Sequence, residues 1–374
     1  MTSKERIQAA MDLREPDRVP VMCQLSIGHM LLQLRVSPVE FWHDATTFAE
    51  GLLDLRARYD FDGILVSLHG HNPNWRDDVL RIRRTNEGEE VTRRNGEKWL
   101  YRFNELPQRL TDHQPQNTIA SLGIADLPGD LNYIPVSQGL HFRIDPAHKF
   151  DVFELVKRKT AGKFSMHGEI TSPFDYYLDF FGHQEALMAL IDEPEKAKIV
   201  LAHFTRLLVN LALEMSDVGV DAIKISSPFA GASFISTQFY RDFVLPYERA
   251  IAETVRARGV HVYTHTCGAI GDRLELMFEA GVSGIECLDP PPLGNVELDE
   301  AKRRTRGRGF IKGNVDSVNT LLFKTKPEIM NDAMRRIQIG KQSGGYIFST
   351  ACSVAPYVEG ERLLLLREAV EKWG

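Results

Sequence analysis

Three side chains of metal-binding type close two apolar runs that lie far apart in the chain. His265 and Cys267 form a His-x-Cys at the end of the run from His261, and Cys352 follows Tyr346-Ile347-Phe348-Ser349-Thr350. Two thiolates and an imidazole are soft to borderline donors, a set that suits Zn2+. Three protein ligands leave a fourth position for water or substrate, which is how catalytic zinc is held. Glu169 ends the run Phe164 to Gly168 and is placed to act as a fourth ligand or a general base. A plainer reading stands beside this one. A cysteine at a strand end is commonly a small buried hydrophobe, a single histidine is commonly a hydrogen-bonded core residue, and His-x-Cys alone does not decide. Cys23 and Cys287 lie within or beside apolar runs with no His or Cys neighbour, and they read as ordinary apolar residues.

The elements that must position these residues alternate. From about residue 160 onward, short β-rich runs such as Asp221-Ala222-Ile223-Lys224-Ile225, Gly284-Ile285-Glu286-Cys287-Leu288 and Gly309-Phe310-Ile311-Lys312 are separated by longer amphipathic stretches. Helices are expected over 184–215, with a break near Pro194, over 236–258 and 271–280, over most of 317–342, with a restart at Lys326-Pro327, and over 360–373. Strand–helix alternation with short connections predicts a parallel sheet. No strand is followed by G-x-G-x-x-G, so a dinucleotide-binding sheet loses ground to a (β/α)8 barrel. In such a barrel all carboxyl ends of strands meet at one face, which would bring residues 265, 267 and 352 together. The N-terminal part fits with an interruption: a helix over 3–13, strands at 19–22 and 63–67, then an antiparallel hairpin insertion over about 72–130. The whole chain, 1–374, reads as one α/β domain.

Composition narrows the function. The 374 residues carry 45 Lys and Arg against 51 Asp and Glu, a formal net charge of -6. That balance offers no electrostatic footprint for nucleic acid or anionic lipid. Four cysteines are not a disulfide framework, the polar N-terminus has no apolar signal core, and no stretch approaches the 18 or so apolar residues of a membrane span. The expectation is a cytoplasmic protein with reduced thiols and no nucleic-acid or membrane partner.

Several motifs point further. Arg14-Glu15-Pro16-Asp17-Arg18-Val19-Pro20, Gly168-Glu169-Ile170-Thr171-Ser172-Pro173-Phe174, Phe243-Val244-Leu245-Pro246-Tyr247, Thr264-His265-Thr266-Cys267-Gly268 and Gly313-Asn314-Val315-Asp316 resemble the uroporphyrinogen decarboxylase superfamily, a (β/α)8 barrel. The resemblance covers nearly the whole chain. Its decarboxylase branch carries an Arg-rich N-terminal segment, a catalytic Asp on an early strand and a Gly-His-Gly near the C-terminus. Here Met22 to Met30 has no Arg, Leu68 stands at the Asp position, and Cys352 replaces the His. The other branch, zinc-dependent cobamide methyltransferases, carries His-x-Cys and a distant Cys. The resemblance therefore implies a methyltransferase with zinc on His265, Cys267 and Cys352. It also implies Glu169 near the metal and a methyl group moving between a corrinoid and a small thiol, methoxy or methylthio compound. No Asp-x-His-x-x-Gly corrinoid signature is present, so the cobamide would come from a partner corrinoid protein or bind free. Asn314, Asp316 and Ser226, at strand ends, are the expected cofactor contacts, with an N-cap as the plainer role for Asp316. His69, His71, Asn72 and Trp75 would shape the donor pocket. Two other functions fit the same residues: decarboxylation of some acid, and a non-catalytic barrel that only docks a corrinoid protein. Dimers occur in the superfamily, so a homodimer is compatible.

Overall fold

A computed structural model describes residues 1–67, 71–111, 119, 122–135 and 141–374. The first strand, β1 (Gly63–Ser67), is followed by an antiparallel sheet of β2 (Val79–Arg84), β3 (Gly88–Arg93), β4 (Lys98–Arg102) and β5 (Gln108–Arg109). A short antiparallel pair comes next, β6 (Tyr133–Pro135) with β7 (His141–Arg143). The chain then alternates helices with β8 (Ser165–Thr171), β9 (Ala222–Ser226), β10 (His261–Thr266), β11 (Gly284–Cys287), β12 (Phe310–Val315) and β13 (Tyr346–Thr350).

The parallel sheet has seven strands in the order β1-β8-β9-β10-β11-β12-β13. Its strands are buried on nearly every position, as a sheet covered by helices on one face and curled around a core on the other requires. The two edges curl toward one another around residues 19–25. Phe348 N–H donates to Pro20 O at 2.8 Å, Met22 N–H to Phe348 O at 3.0 Å, and Asp62 N–H to Val21 O at 2.8 Å. Residues 19–22, expected as a strand, thus make isolated bridges rather than a ladder. Pro20 lacks a donor, which rules out continuous pairing there. The segment is held instead by Asp62. Its buried carboxylate takes two bonds from Arg18, at 2.8 and 2.9 Å, one from Arg6 at 2.8 Å and one from Val21 N–H at 2.9 Å.

Helices cover the outer face. Pro194–Val218, with Pro in its first turn, buries residues from Ala197 to Met215 against β8 and the helices Pro173–Phe181 and Leu245–Arg256. It is long and apolar enough to cross a bilayer, but half of that apolar window is buried inside this fold. The helix expected over 236–258 is two helices, Thr237–Phe243 and Leu245–Arg256. Pro246 explains the break, because it has no N–H to continue the ladder of the first helix and fits the first turn of the second, where no such bond is needed. Ser236 Oγ caps the first of them, accepting from Phe239 N–H at 3.2 Å.

Candidate functional site

The end of β10 carries His265 and Cys267, and Cys352 sits just past β13. These strands are three places apart in the sheet, about 14 Å if it were flat. The curl brings the side chains together. His265 Nε2 lies 3.3 Å from Cys267 Sγ and 4.0 Å from Cys352 Sγ, and the two sulfurs are 4.0 Å apart. A tetrahedral zinc shell with bonds of about 2.3 Å separates its sulfurs by about 3.8 Å. The donors therefore fit such an ion with little movement, and both thiols are free. Hydrogen bonds from the Cys267 and Cys287 thiols hold Cys352 well below the usual thiol range, against the opposing effect of burial. A thiol so biased toward thiolate is the ligand form a metal needs.

A buried ionic network stands behind the imidazole. Glu286 on β11 is in register with His265, and its Oε2 lies 3.0 Å from His265 Nδ1. That contact turns Nε2 toward the sulfurs, the usual way a protein fixes the tautomer and orientation of a ligating histidine. Glu286 Oε1 is paired with Lys312 Nζ, and Glu286 Oε2 lies 3.5 Å from Lys224 Nζ. Lys224 also meets Glu169 Oε1 at 2.7 Å and donates to Gln24 Oε1 at 2.7 Å. Both lysines are fully buried. Burial alone would raise the Glu286 pKa, but Lys312 and Lys224 hold it well below the carboxylate range. Glu286, Lys224 and Lys312 were not among the expected site residues. Their signal was a single charge inside each of three apolar strand runs, which demands a buried partner.

The remaining expected residues divide. Glu169 is not among the converging donor atoms; its carboxylate is engaged by Lys224 and by Ser67 Oγ at 2.9 Å. Among the described residues, Asp289 is the carboxylate that joins a cluster of potential metal donors with thiols. Its donor atom lies with those of Cys267 and Cys287 inside 4.8 Å, and its Oδ2 accepts from Gly268 N–H at 2.7 Å. Ser226 pairs in register with His265 from the neighbouring strand. Asn314 is fully buried, donating to Leu288 O at 2.9 Å and accepting from Arg336 at 2.6 Å. Asp316 caps the turn Ser317–Leu322, accepting from Val318 N–H at 2.9 Å and Asn319 N–H at 2.7 Å. These are the bonds that Asn314 and Asp316, the expected cofactor contacts, make within the fold. His71 is buried among His43, Trp42 and Phe142. Asn72 and Trp75 line a cavity of about 590 Å³ together with Asn132, His141, Arg143 and Asp145. His69 and Leu68 lie outside the described residues.

Known proteins share this plan. A methyltransferase from Methanosarcina mazei has the same fold, with a TM-score of 0.76 at 18% identity over 100% of this chain and 99% of that one. Among curated proteins, uroporphyrinogen decarboxylase from Chlorobium phaeobacteroides is 25% identical over 236 residues, 59% of this chain and 64% of that protein. The methylcobamide:CoM methyltransferase MtbA of Methanosarcina acetivorans is 23% identical over 232 residues, 60% of this chain and 62% of that protein. The two curated matches span somewhat less than two thirds of those relatives' length. The uroporphyrinogen decarboxylase (URO-D) family matches residues 141–373, which include every strand from β7 to β13 and all three converging donors. The chain belongs to the uroporphyrinogen decarboxylase (URO-D) family.

Proposed function

We propose that this chain is a zinc-dependent methyltransferase that moves a methyl group between a corrinoid and a small thiol, methoxy or methylthio compound. The observation that carries the reading is the convergence of His265, Cys267 and Cys352 at one end of the parallel sheet. Two sulfurs and one nitrogen suit zinc better than magnesium or calcium, which take oxygen. The name of the Methanosarcina acetivorans relative supports the same chemistry. Bound zinc lowers the pKa of a thiol and presents it as a thiolate at a fixed place. The chain's own residues do the rest. Glu286 holds the His265 ring, while Lys224 and Lys312 keep Glu286 ionised. Glu169 balances Lys224 at the edge of the site, acting on the metal only through this network. Asp289, tied to the turn after Cys267, is the carboxylate at hand to accept a proton or a metal bond.

In this reading residues 1–374 act as one barrel. Residues 19–25 take the eighth place, and β2–β5 form the antiparallel insertion. The corrinoid arrives on a partner protein or free, and the enzyme works in the cytoplasm, where thiols stay reduced. The test is demethylation of methylcobalamin by zinc-loaded protein with 2-mercaptoethanesulfonate, homocysteine or a simple alkyl thiol. Loss of the methyl–cobalt absorbance that stops on chelation is the expected result. Release of carbon dioxide from a porphyrinogen by the metal-free protein, with no demethylation, would replace this reading by decarboxylation.

A further inference from the structure

Five of the seven residues from Lys302 to Arg308 are basic, in a chain whose net charge is -6. The chemistry proposed above uses none of them. The run ends the helix Leu298–Arg304 and leads into β12, so it lies at the amino end of the sheet, opposite the converging donors. Arg304 is neutralised by two acids: its Nε donates to Glu275 Oε1 at 2.7 Å, and its Nη1 lies 3.2 Å from Glu300 Oε1. Lys302, Arg303 and Arg306 differ. Among the described residues, none of these three forms an ion pair with a carboxylate.

The three cations line a cavity of about 460 Å³ together with Gln342, Ser343 and one acid, Asp299. That volume is in the range small ligands occupy. Lys302 is held in place at its wall. Its Nζ donates to Gly344 O at 2.6 Å, and burial pulls its pKa down to about 8. The loop it grips is fixed in turn. Ser343, Gly344 and Gly345 have φ of 62°, 67° and 67°, and a Cβ on Gly344 would stand 2.6 Å from Leu13 O. A serine in left-handed backbone persists where the surrounding structure holds it there. A half-buried cation that meets only a carbonyl is incompletely neutralised, and a bound anion completes it. Arg303 and Arg306 bring forked donors that match phosphate oxygens in pairs. Leu13 and Ile339 give the same cavity an apolar wall, suited to a carbon skeleton.

We propose that this cavity is a second binding site, for a phosphorylated small molecule about the size of a nucleoside diphosphate. Three cations against one acid leave a net charge of +2 in its lining, which a diphosphate offsets. His265, Cys267 and Cys352 stand at the other end of the sheet, so this ligand is separate from the one that reacts there. The inference does not rest on the zinc reading. A nucleic acid would need basic residues in a stripe well beyond one cavity, and a chain of net charge -6 does not favour it.

The test uses the whole chain stripped of metal, so that phosphate cannot bind through zinc, and low salt, so that screening is weak. Isothermal titration calorimetry with pyrophosphate, with adenosine diphosphate and with adenosine as the uncharged control reads affinity and stoichiometry. One pyrophosphate or one adenosine diphosphate per chain is expected, with no binding of adenosine. In the double variant Arg303→Gln/Arg306→Gln both affinities should fall about tenfold or more, since a single charge-assisted hydrogen bond contributes that much. Both arginines are exposed, and far-ultraviolet circular dichroism checks that the variant is folded. No saturable binding of either phosphate compound below about 1 mM, or equal affinity in the folded double variant, would overturn the proposal and leave the zinc reading untouched.

Discussion

Glu286→Gln separates the ionic network from the donors it supports. The substitution keeps the shape of the side chain and removes one charge from between two lysines that are both fully buried. Lys224 retains Glu169 at 2.7 Å, so the larger loss falls on Lys312, for which Glu286 is the carboxylate partner among the described residues. Stripping the partner from a buried ion costs about 3–5 kcal/mol, mostly because the remaining charge is left in a poor solvent. A second effect falls on His265. A carboxylate 3.0 Å from Nδ1 accepts only, which fixes the proton on that nitrogen and leaves Nε2 free for a metal. An amide can donate there instead, and loss of such support typically weakens metal affinity about 10–100-fold. Urea unfolding of the metal-free protein reads the first effect, and chelator competition reads the second. Adding Lys312→Met to Glu286→Gln should restore most of the stability, because no orphaned charge remains, without restoring the metal affinity. If the single variant unfolds at the parent midpoint and binds metal within about twofold of the parent, the network has neither role assigned to it.

Other expectations follow from particular contacts. Asp316→Ala should lower stability by about 1 kcal/mol through loss of the cap, while Asp316→Asn should retain most of it; equal thermal unfolding of all three proteins would contradict the capping role. Acid should destabilise the protein through His29, whose pKa burial pulls down from 6.5 to about 4. A depressed histidine binds its proton better in the unfolded chain. Its contribution is therefore whole above pH 6.5 and drains as the pH falls toward 4, by about 3 kcal/mol in all. Measured on metal-free protein, His29→Gln should flatten stability in that window, and an unchanged acid slope would refute the assignment. Gly313→Ala should perturb the end of β11, because the added Cβ meets the Cys287 carbonyl at 2.6 Å; a variant with parent stability and parent metal affinity would show that the backbone approach is not needed.

The sequence was most legible where a property belongs to one run of residues. The apolar strand cores of β9 to β13 are such runs, and so are the thiol and imidazole donors at their ends. Properties that depend on strand neighbours were hidden. Glu286 becomes a support for His265 only because β11 lies beside β10, and it meets Lys312 only because β12 lies on its other side. Nothing in Gly284-Ile285-Glu286-Cys287 announces that order. The positions of Glu169 and Asp289 reflect backbone shape. Glu169 ends a regular strand and is drawn to Lys224, whereas positive φ at Cys287 and Leu288 swings Asp289 toward the thiols. A sequence shows no φ values at residues other than glycine. Asp316 went the other way: its role as a cap was readable from its place before Ser317, because capping is local chemistry. The long helix expected across Pro246 failed for an equally local reason, a proline rule that was available from the sequence and outweighed by the apolar periodicity around it.

The proposed function stands on one zinc ion held by His265, Cys267 and Cys352. Metal content of the purified chain and of His265→Ala, Cys267→Ala and Cys352→Ala, measured by plasma emission after dialysis against a weak chelator, tests it most directly. Close to one zinc per parent chain is expected, with a large loss in each folded variant. Zinc-free parent protein, or full zinc retention in the three variants, would contradict it.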